Sequence, residues 1–386
     1  MIKKEIAKFW AATFTLTGTV IGAGILGLPY VFSKSGFFAG LFWILFLGAV
    51  IILTKLYLGE VILRTRETHQ LPGYAKKYLG KWGKRFMVFE MVFGVYSALI
   101  AYLIGEGQSF SQLFTGSISY TLYFALGFWM IMSLLLREGL KGLKRVESWG
   151  VLAILLIVLG MFIWYAPGVK VENIYSFDIN YVFLPFGVVL FALLGFSAIP
   201  ELNRELKGSE KLMKKAIFFG AFIPIIVYIL FSFIFVATLG KNVPEVATLA
   251  FGRIVLLLGV FTMLTSYFVL SFALKDMFRF DFKYSRKTSF FLYAVVPLII
   301  FIVLYYLNLL KFVSILGIAG VVSAGITGVL VVLMNLKAKK EGNRKPEYSI
   351  KINKPIIIGI IIVFLLGVLS ELGFLKLILD LILNLS

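Results

Sequence analysis

The 386 residues are 60% hydrophobic and 15% charged, with a mean hydropathy of +0.98, which excludes a soluble globular domain and describes a polytopic membrane protein. The 38 Lys and Arg and 19 Asp and Glu fall between apolar stretches rather than on one folded polar face, so the net charge of +19 does not point to nucleic acid. The absence of cysteine excludes disulfides and thiolate metal sites, and a lone His69 excludes a histidine cluster.

Met1 to Lys8 is basic and leads into a long apolar stretch with no small-residue cleavage site, so the chain opens on a transmembrane helix rather than a signal peptide. Hydropathy windows predict eleven spans, near 9–32, 37–63, 86–109, 120–136, 148–165, 183–203, 216–239, 252–274, 289–307, 312–335 and 356–372. Taking every second loop as one side puts 31 Lys and Arg with the N-terminus and six opposite, with Lys55 inside span two. A missed span would invert every later loop and scramble that asymmetry. The positive-inside rule therefore predicts a multi-pass protein of the plasma membrane, its N-terminus cytoplasmic and its C-terminus outside. The tail 373–386 spaces Lys376, Asp380 and Asn384 four apart among Leu and Ile, which fits an amphipathic helix on the outer interface or a continuation of the last span.

Span one reads Leu16-Thr-Gly18-Thr-Val-Ile-Gly22-Ala-Gly24-Ile-Leu-Gly27-Leu-Pro29, four glycines and a proline where a helix crosses the bilayer. Gly22-x-Gly24-x-x-Gly27 matches the dinucleotide fingerprint but lacks the preceding strand and the acidic residue that such a site needs. Gly18-x-x-x-Gly22 also suits a helix-packing face. Span six decides between a packing face and a break: Gly195-x4-Pro200 repeats the spacing of Gly24-x4-Pro29 in a helix running the opposite way. Paired interruptions in two halves point to an inverted-repeat transporter with its site near the midplane, since irregular backbone at that depth must be buried in protein or line a cavity. N–H groups freed around Gly22 to Gly24 attract a carboxylate, and carbonyls freed around Phe191 to Leu194 accept from an ammonium group. Together they describe an α-amino acid.

The stretch Gly18 to Tyr30 resembles the first helix of the amino acid/auxin permease family and the related bacterial hydroxy and aromatic amino acid permeases, and Gly195-Phe-Ser-Ala-Ile-Pro-Glu201 is similar to that family's sixth helix. The resemblance extends to Gln70-Leu-Pro-Gly-Tyr-Ala-Lys-Lys-Tyr-Leu-Gly80 and Tyr102-Leu-Ile-Gly-Glu-Gly107. It implies an all-α, LeuT-type fold of 5+5 inverted repeats with an eleventh transmembrane helix. One transporter domain would fill 1–386, with repeat one about 9–165, repeat two about 183–335, and the eleventh helix and tail about 356–386. It further implies cation-coupled symport of a neutral or aromatic α-amino acid by alternating access, in a lipid bilayer, with no cofactor beyond a coupling Na⁺ or H⁺. An amino-acid-sensing receptor or a channel on the same fold is the alternative. The expected substrate site comprises Ile21, Gly22, Ala23 and Gly24 of span one, Tyr102 of span three, and Phe191, Ala192, Leu194, Gly195, Phe196 and Ser197 of span six.

In sodium-coupled members of this fold one Na⁺ lies between helices one and eight; by that likeness Gly18, Ile21 and Thr262 would supply carbonyls, and Thr265 and Ser266 hydroxyls. The alternative is that these hydroxyls only bond back to their own helix, in which case the ion is a proton and Glu201, just past Pro200, is the candidate carrier. Counting along span two places Lys55 and Glu60 at the cytoplasmic interface, suited to snorkelling and a mutual salt bridge. Glu90 and Glu106 fall near the ends of span three. No span holds a histidine, a metal-binding H-E-x-x-H or a phosphate-binding acidic motif, and no Walker sequence is present, which argues against an intramembrane enzyme or an ATP-driven pump.

Overall fold

The first span begins as α1, Ile2–Val20, leaves the helical path at residues 21–23, and resumes as α2, Gly24–Ser35, bent by 57° from the first half. Glycine contributes little to holding a helix and offers no side chain to pack, so the Gly-x-Gly pair is where this one parts. The computed structural model describes residues 2–138, 143–351 and 354–371, so the tail 373–386 lies outside the described residues.

Next come α3, Phe37–Leu63, and α4, Leu71–Thr115, which bends at Gly80 where φ is +72°. Then follow α5, Thr121–Glu138, and α6, Leu143–Tyr165, with a connection holding the single turn α7, Val171–Ile174. The sixth span is split into α8, Leu184–Ala192, and α9, Ile199–Glu205. Beyond it run α10, Met213–Leu239, and α11, Arg253–Asp276; then α12, Arg286–Phe290, joined through a π-helical stretch to α13, Val296–Tyr306; then α14, Phe312–Glu341, and α15, Lys354–Glu371. Among the described residues seven helices are long and apolar enough to cross a membrane, eight with the bent pair α1 and α2, and three shorter apolar helices, Thr121–Leu136, Ile154–Gly168 and Ile357–Leu369, fall where hydropathy predicts the fourth, fifth and eleventh spans. The ends differ: α4 absorbs residues 71–79 as a helical lead-in, and α14 runs to Glu341 because Lys339 and Lys340 sit favourably at a helix C-terminus.

The two split spans lie against each other in antiparallel sense, α1 packing on α9 and α2 on α8. Around them α10 packs on α1, α2 and α3, while α14 packs on α3, α4, α8 and α15, and α4 on α5 and α11. The interrupted segments are thereby shielded from lipid, which irregular backbone at this depth requires.

Residues 342–351 fold back under α3. Glu60, fully buried, accepts from Arg64 Nε at 2.9 Å, Lys339 Nζ at 2.8 Å, Ser349 Oγ at 2.8 Å and the Ile350 N–H at 3.0 Å. Tyr348 donates to the Leu56 carbonyl at 2.7 Å and Arg344 to that of Leu63 at 2.8 Å. In the loop after α3 the Glu67 carboxylate lies 2.5 Å from Lys77 of α4, and this hydrogen bond holds the Glu67 carboxyl down at about 2. Removing one side of a buried charge network typically costs about 3–5 kcal/mol. Glu60→Gln is therefore expected to speed tryptic cleavage within 342–351 several-fold; an unchanged rate would mean that the backbone bonds alone hold the segment.

Candidate functional site: two broken helices back to back

The break in span one leaves three consecutive buried residues, Ile21, Gly22 and Ala23, between α1 and α2. Helical bonding ends with the Ile21 N–H on the Thr17 carbonyl at 2.9 Å and restarts with Ile25 on Gly22 at 3.4 Å and Leu26 on Ala23 at 3.0 Å. The break in span six falls at residues 193–195, where Gly195 adopts φ +113° and ψ 23°, a left-handed conformation that favours glycine. The two breaks touch through backbone: a Cβ added at Gly24 would lie 2.6 Å from the Ala192 Cβ, and one at Gly195 would lie 2.8 Å from a Val20 methyl. Only glycine permits this approach.

Around the junction the structure gathers most of the expected substrate residues. Tyr102, buried on α4, faces the Ala23 N–H and the Ser266 hydroxyl, and a Cβ on Gly22 would stand 3.0 Å from the Tyr102 hydroxyl. Phe191, Ala192 and Phe196 are buried, and Leu194 and Gly195 half-buried. Phe191 packs on α14, where a Cβ at Gly320 would meet it at 3.0 Å. Ser197, by contrast, is exposed and stands apart from this buried group. The Tyr102 phenol and the backbone of residues 22–24 thus lie on one side of the contact, and the C-terminal end of α8 on the other.

Of the five residues expected to hold Na⁺, Ser266 reaches the break, 3.5 Å from a Cβ placed on Gly22. Thr262 donates to the Gly259 carbonyl at 2.9 Å, and Thr265 lies within bonding distance of the Phe261 carbonyl at 3.0 Å and the Thr262 carbonyl at 3.1 Å. Both threonine hydroxyls thus turn back onto α11, as hydroxyls in membrane helices commonly do. Gly18 lies on α1 one turn ahead of the break. Glu201 is half-buried in the first turn of α9.

Sequence reasoning missed two residues that bind the breaks. Tyr228 of α10, fully buried, has its hydroxyl 2.8 Å from the Val20 carbonyl and 3.0 Å from that of Ala192, so one phenol serves the last carbonyl of each first half-helix. Lys55 does not snorkel to the interface. It is fully buried, donates to the Leu194 carbonyl at 3.1 Å, and lies 5.9 Å over the Phe196 ring. The salt bridge expected between Lys55 and Glu60 is not formed, because Glu60 points the other way, onto Arg64 and Lys339. Its position five residues before Glu60, on a different face of the same helix, was the signal available. Span three also buries both of its carboxyl groups. Glu90 is buried and faces Ser323 and Thr327 of α14, while Glu106 is buried with neither oxygen bonded among the described residues.

Known proteins share this architecture. The crystal structure of MhsT in complex with L-phenylalanine aligns with 94% of this chain and 98% of that one at a TM-score of 0.67 and 15% identity. The fold is accordingly LeuT-type, two five-span halves in inverted repeat followed by an eleventh span. Tyrosine-specific transport system 1 of Haemophilus influenzae is 26% identical over 228 residues, 57% of this chain and 56% of the relative. Glutamine transporter 2 of Aliivibrio fischeri is 24% identical over 246 residues, 61% of this chain and 62% of the relative. The alignments thus span a little over half the length of these curated relatives. A family model matches residues 5–248, well over half of the chain and inclusive of both breaks, and by that match the chain belongs to the tryptophan/tyrosine permease family.

Proposed function

We propose that the protein is a secondary active transporter of a neutral or aromatic α-amino acid, cation-coupled and working by alternating access. The observation that carries this reading is the apposition of the two breaks, the non-helical backbone of residues 21–23 and the Tyr102 hydroxyl on one side, the C-terminal end of α8 on the other. An α-carboxylate suits the first and an α-ammonium the second. The transport systems for tyrosine and glutamine among its relatives support an amino acid as cargo. In this reading the chain is one transporter unit, with repeats over about 9–165 and 183–335, the eleventh helix and tail over about 356–386, and the N-terminus in the cytoplasm. Coupling rests on Na⁺ held by Gly18, Ile21, Thr262, Thr265 and Ser266, or on a proton.

Uptake of labelled amino acids into proteoliposomes of the purified protein tests this, run once with an inward Na⁺ gradient and once with an inward pH gradient at fixed potential. Saturable uptake of at least one neutral or aromatic amino acid under one gradient is the expected result. Silence across the panel under both removes the proposal, and conductance without saturation would favour a channel. The joint change Thr265→Ala and Ser266→Ala is expected to raise the Na⁺ needed for half-maximal uptake about tenfold or more, or to abolish uptake, if Na⁺ is the coupling ion. Unchanged Na⁺-driven uptake in that variant would discard these ligands.

A further inference from the structure

Among the described residues Lys55 is the one fully buried lysine, and its surroundings are unusual for a charge. It offers three N–H donors, yet finds one acceptor, the Leu194 carbonyl at 3.1 Å, with the Phe196 ring beside it at 5.9 Å. Among the described residues no carboxylate pairs with it. The elements packed against α3 carry few groups that bear on it. α8 has no titratable residue, and α2 carries its one charge, Lys34, at the far end on the Lys241 carbonyl. On α10, Tyr228 is engaged by Val20 and Ala192, and Lys214 and Lys215 are exposed. On α14, Lys339 lies on Glu60, and on α9 Glu205 accepts from Thr15, beside Glu201 and Arg204.

A lysine can exchange its proton with water, which an arginine cannot do. Its bond is also to a carbonyl within the break in span six. Resting on the reading of this protein as a coupled amino acid transporter, we infer that Lys55 is the proton-carrying site of the transport cycle. Protonated, its ammonium on the Leu194 carbonyl holds the break as it stands here. When the site opens to one side, an N–H bond is broken and the proton passes to water, the electron pair staying on nitrogen. The neutral amine no longer anchors Leu194, and the broken helix is free to rearrange. Both the cargo site and the coupling site thus meet at residues 194–196.

The test compares, in proteoliposomes and with L-tyrosine, L-tryptophan and L-glutamine as probes, exchange without any ion gradient and accumulation driven by an inward pH gradient at clamped potential. Wild-type protein is expected to do both. In Lys55→Arg, which keeps the charge and the donor but not the exchangeable proton, the ratio of accumulation to exchange is expected to fall at least tenfold. In Lys55→Gln, whatever transport remains is expected to be the same with and without the pH gradient. pH-driven accumulation surviving in either variant overturns the role of Lys55 alone, as does an equal loss of both modes in both variants, the mark of a structural part, or a wild type driven by Na⁺ and indifferent to pH. A wild type that exchanges no amino acid overturns the transport reading and the inference with it.

Discussion

Gly24→Leu is expected to abolish uptake. A Cβ at this position lies 2.5 Å from the Ala192 Cα and 2.6 Å from its Cβ, and backbone cannot rotate out of the way as a flexible side chain would. The remaining three carbons of leucine would have to enter the plane where α2 meets α8, so the halves of the two broken spans must part. Overpacking of a tight core costs about 1–3 kcal/mol, and here the displaced atoms are those of the site itself. Gly24→Ala, with the Cβ alone, is expected to reduce uptake about tenfold while the protein still purifies as a monodisperse species. Uptake at the wild-type rate by Gly24→Leu would mean that the two breaks do not approach each other in the working protein.

That contact was legible in part from sequence. Gly24-x4-Pro29 and Gly195-x4-Pro200 mark where two helices are weak, because glycine and proline act on the backbone locally and need no partner to do so. Hydropathy likewise locates the apolar helices, since apolar character is carried residue by residue. The partners of the breaks are another matter. Lys55 counts as an interfacial residue when measured along span two, and the packing of α3 over residues 342–351 and against α9 buries it, on Leu194. Ser197 sits in the motif beside Phe196, yet the turn after Gly195 leaves one buried and the other exposed. Thr262 and Thr265 had usable oxygens by spacing alone, and α11 provides acceptors for both hydroxyls within its own turns. Which way a polar side chain faces depends on contacts distant in sequence, and those no local pattern carries.

Tyr228 is the case in point, one of 18 tyrosines and set in an apolar helix with nothing around it to mark it. Its hydroxyl has a single proton to donate and two carbonyls within reach, Val20 at 2.8 Å and Ala192 at 3.0 Å. Each is the final helical residue before a break, where carbonyls lose their intrahelical donors. Moving the O–H from one to the other would shift its support from span one to span six with little displacement of the ring. Tyr228→Phe keeps the ring's volume and leaves both carbonyls short of this donor, at a cost of about 1–3 kcal/mol for a buried acceptor left unpaired. Uptake is expected to fall at least tenfold, with thermal stability lowered by a few degrees and the yield of folded protein retained. Lowered stability with wild-type uptake would make the phenol a structural tie only. Uptake and stability both at the wild-type level would mean that the carbonyls of Val20 and Ala192 find other donors as the transporter cycles.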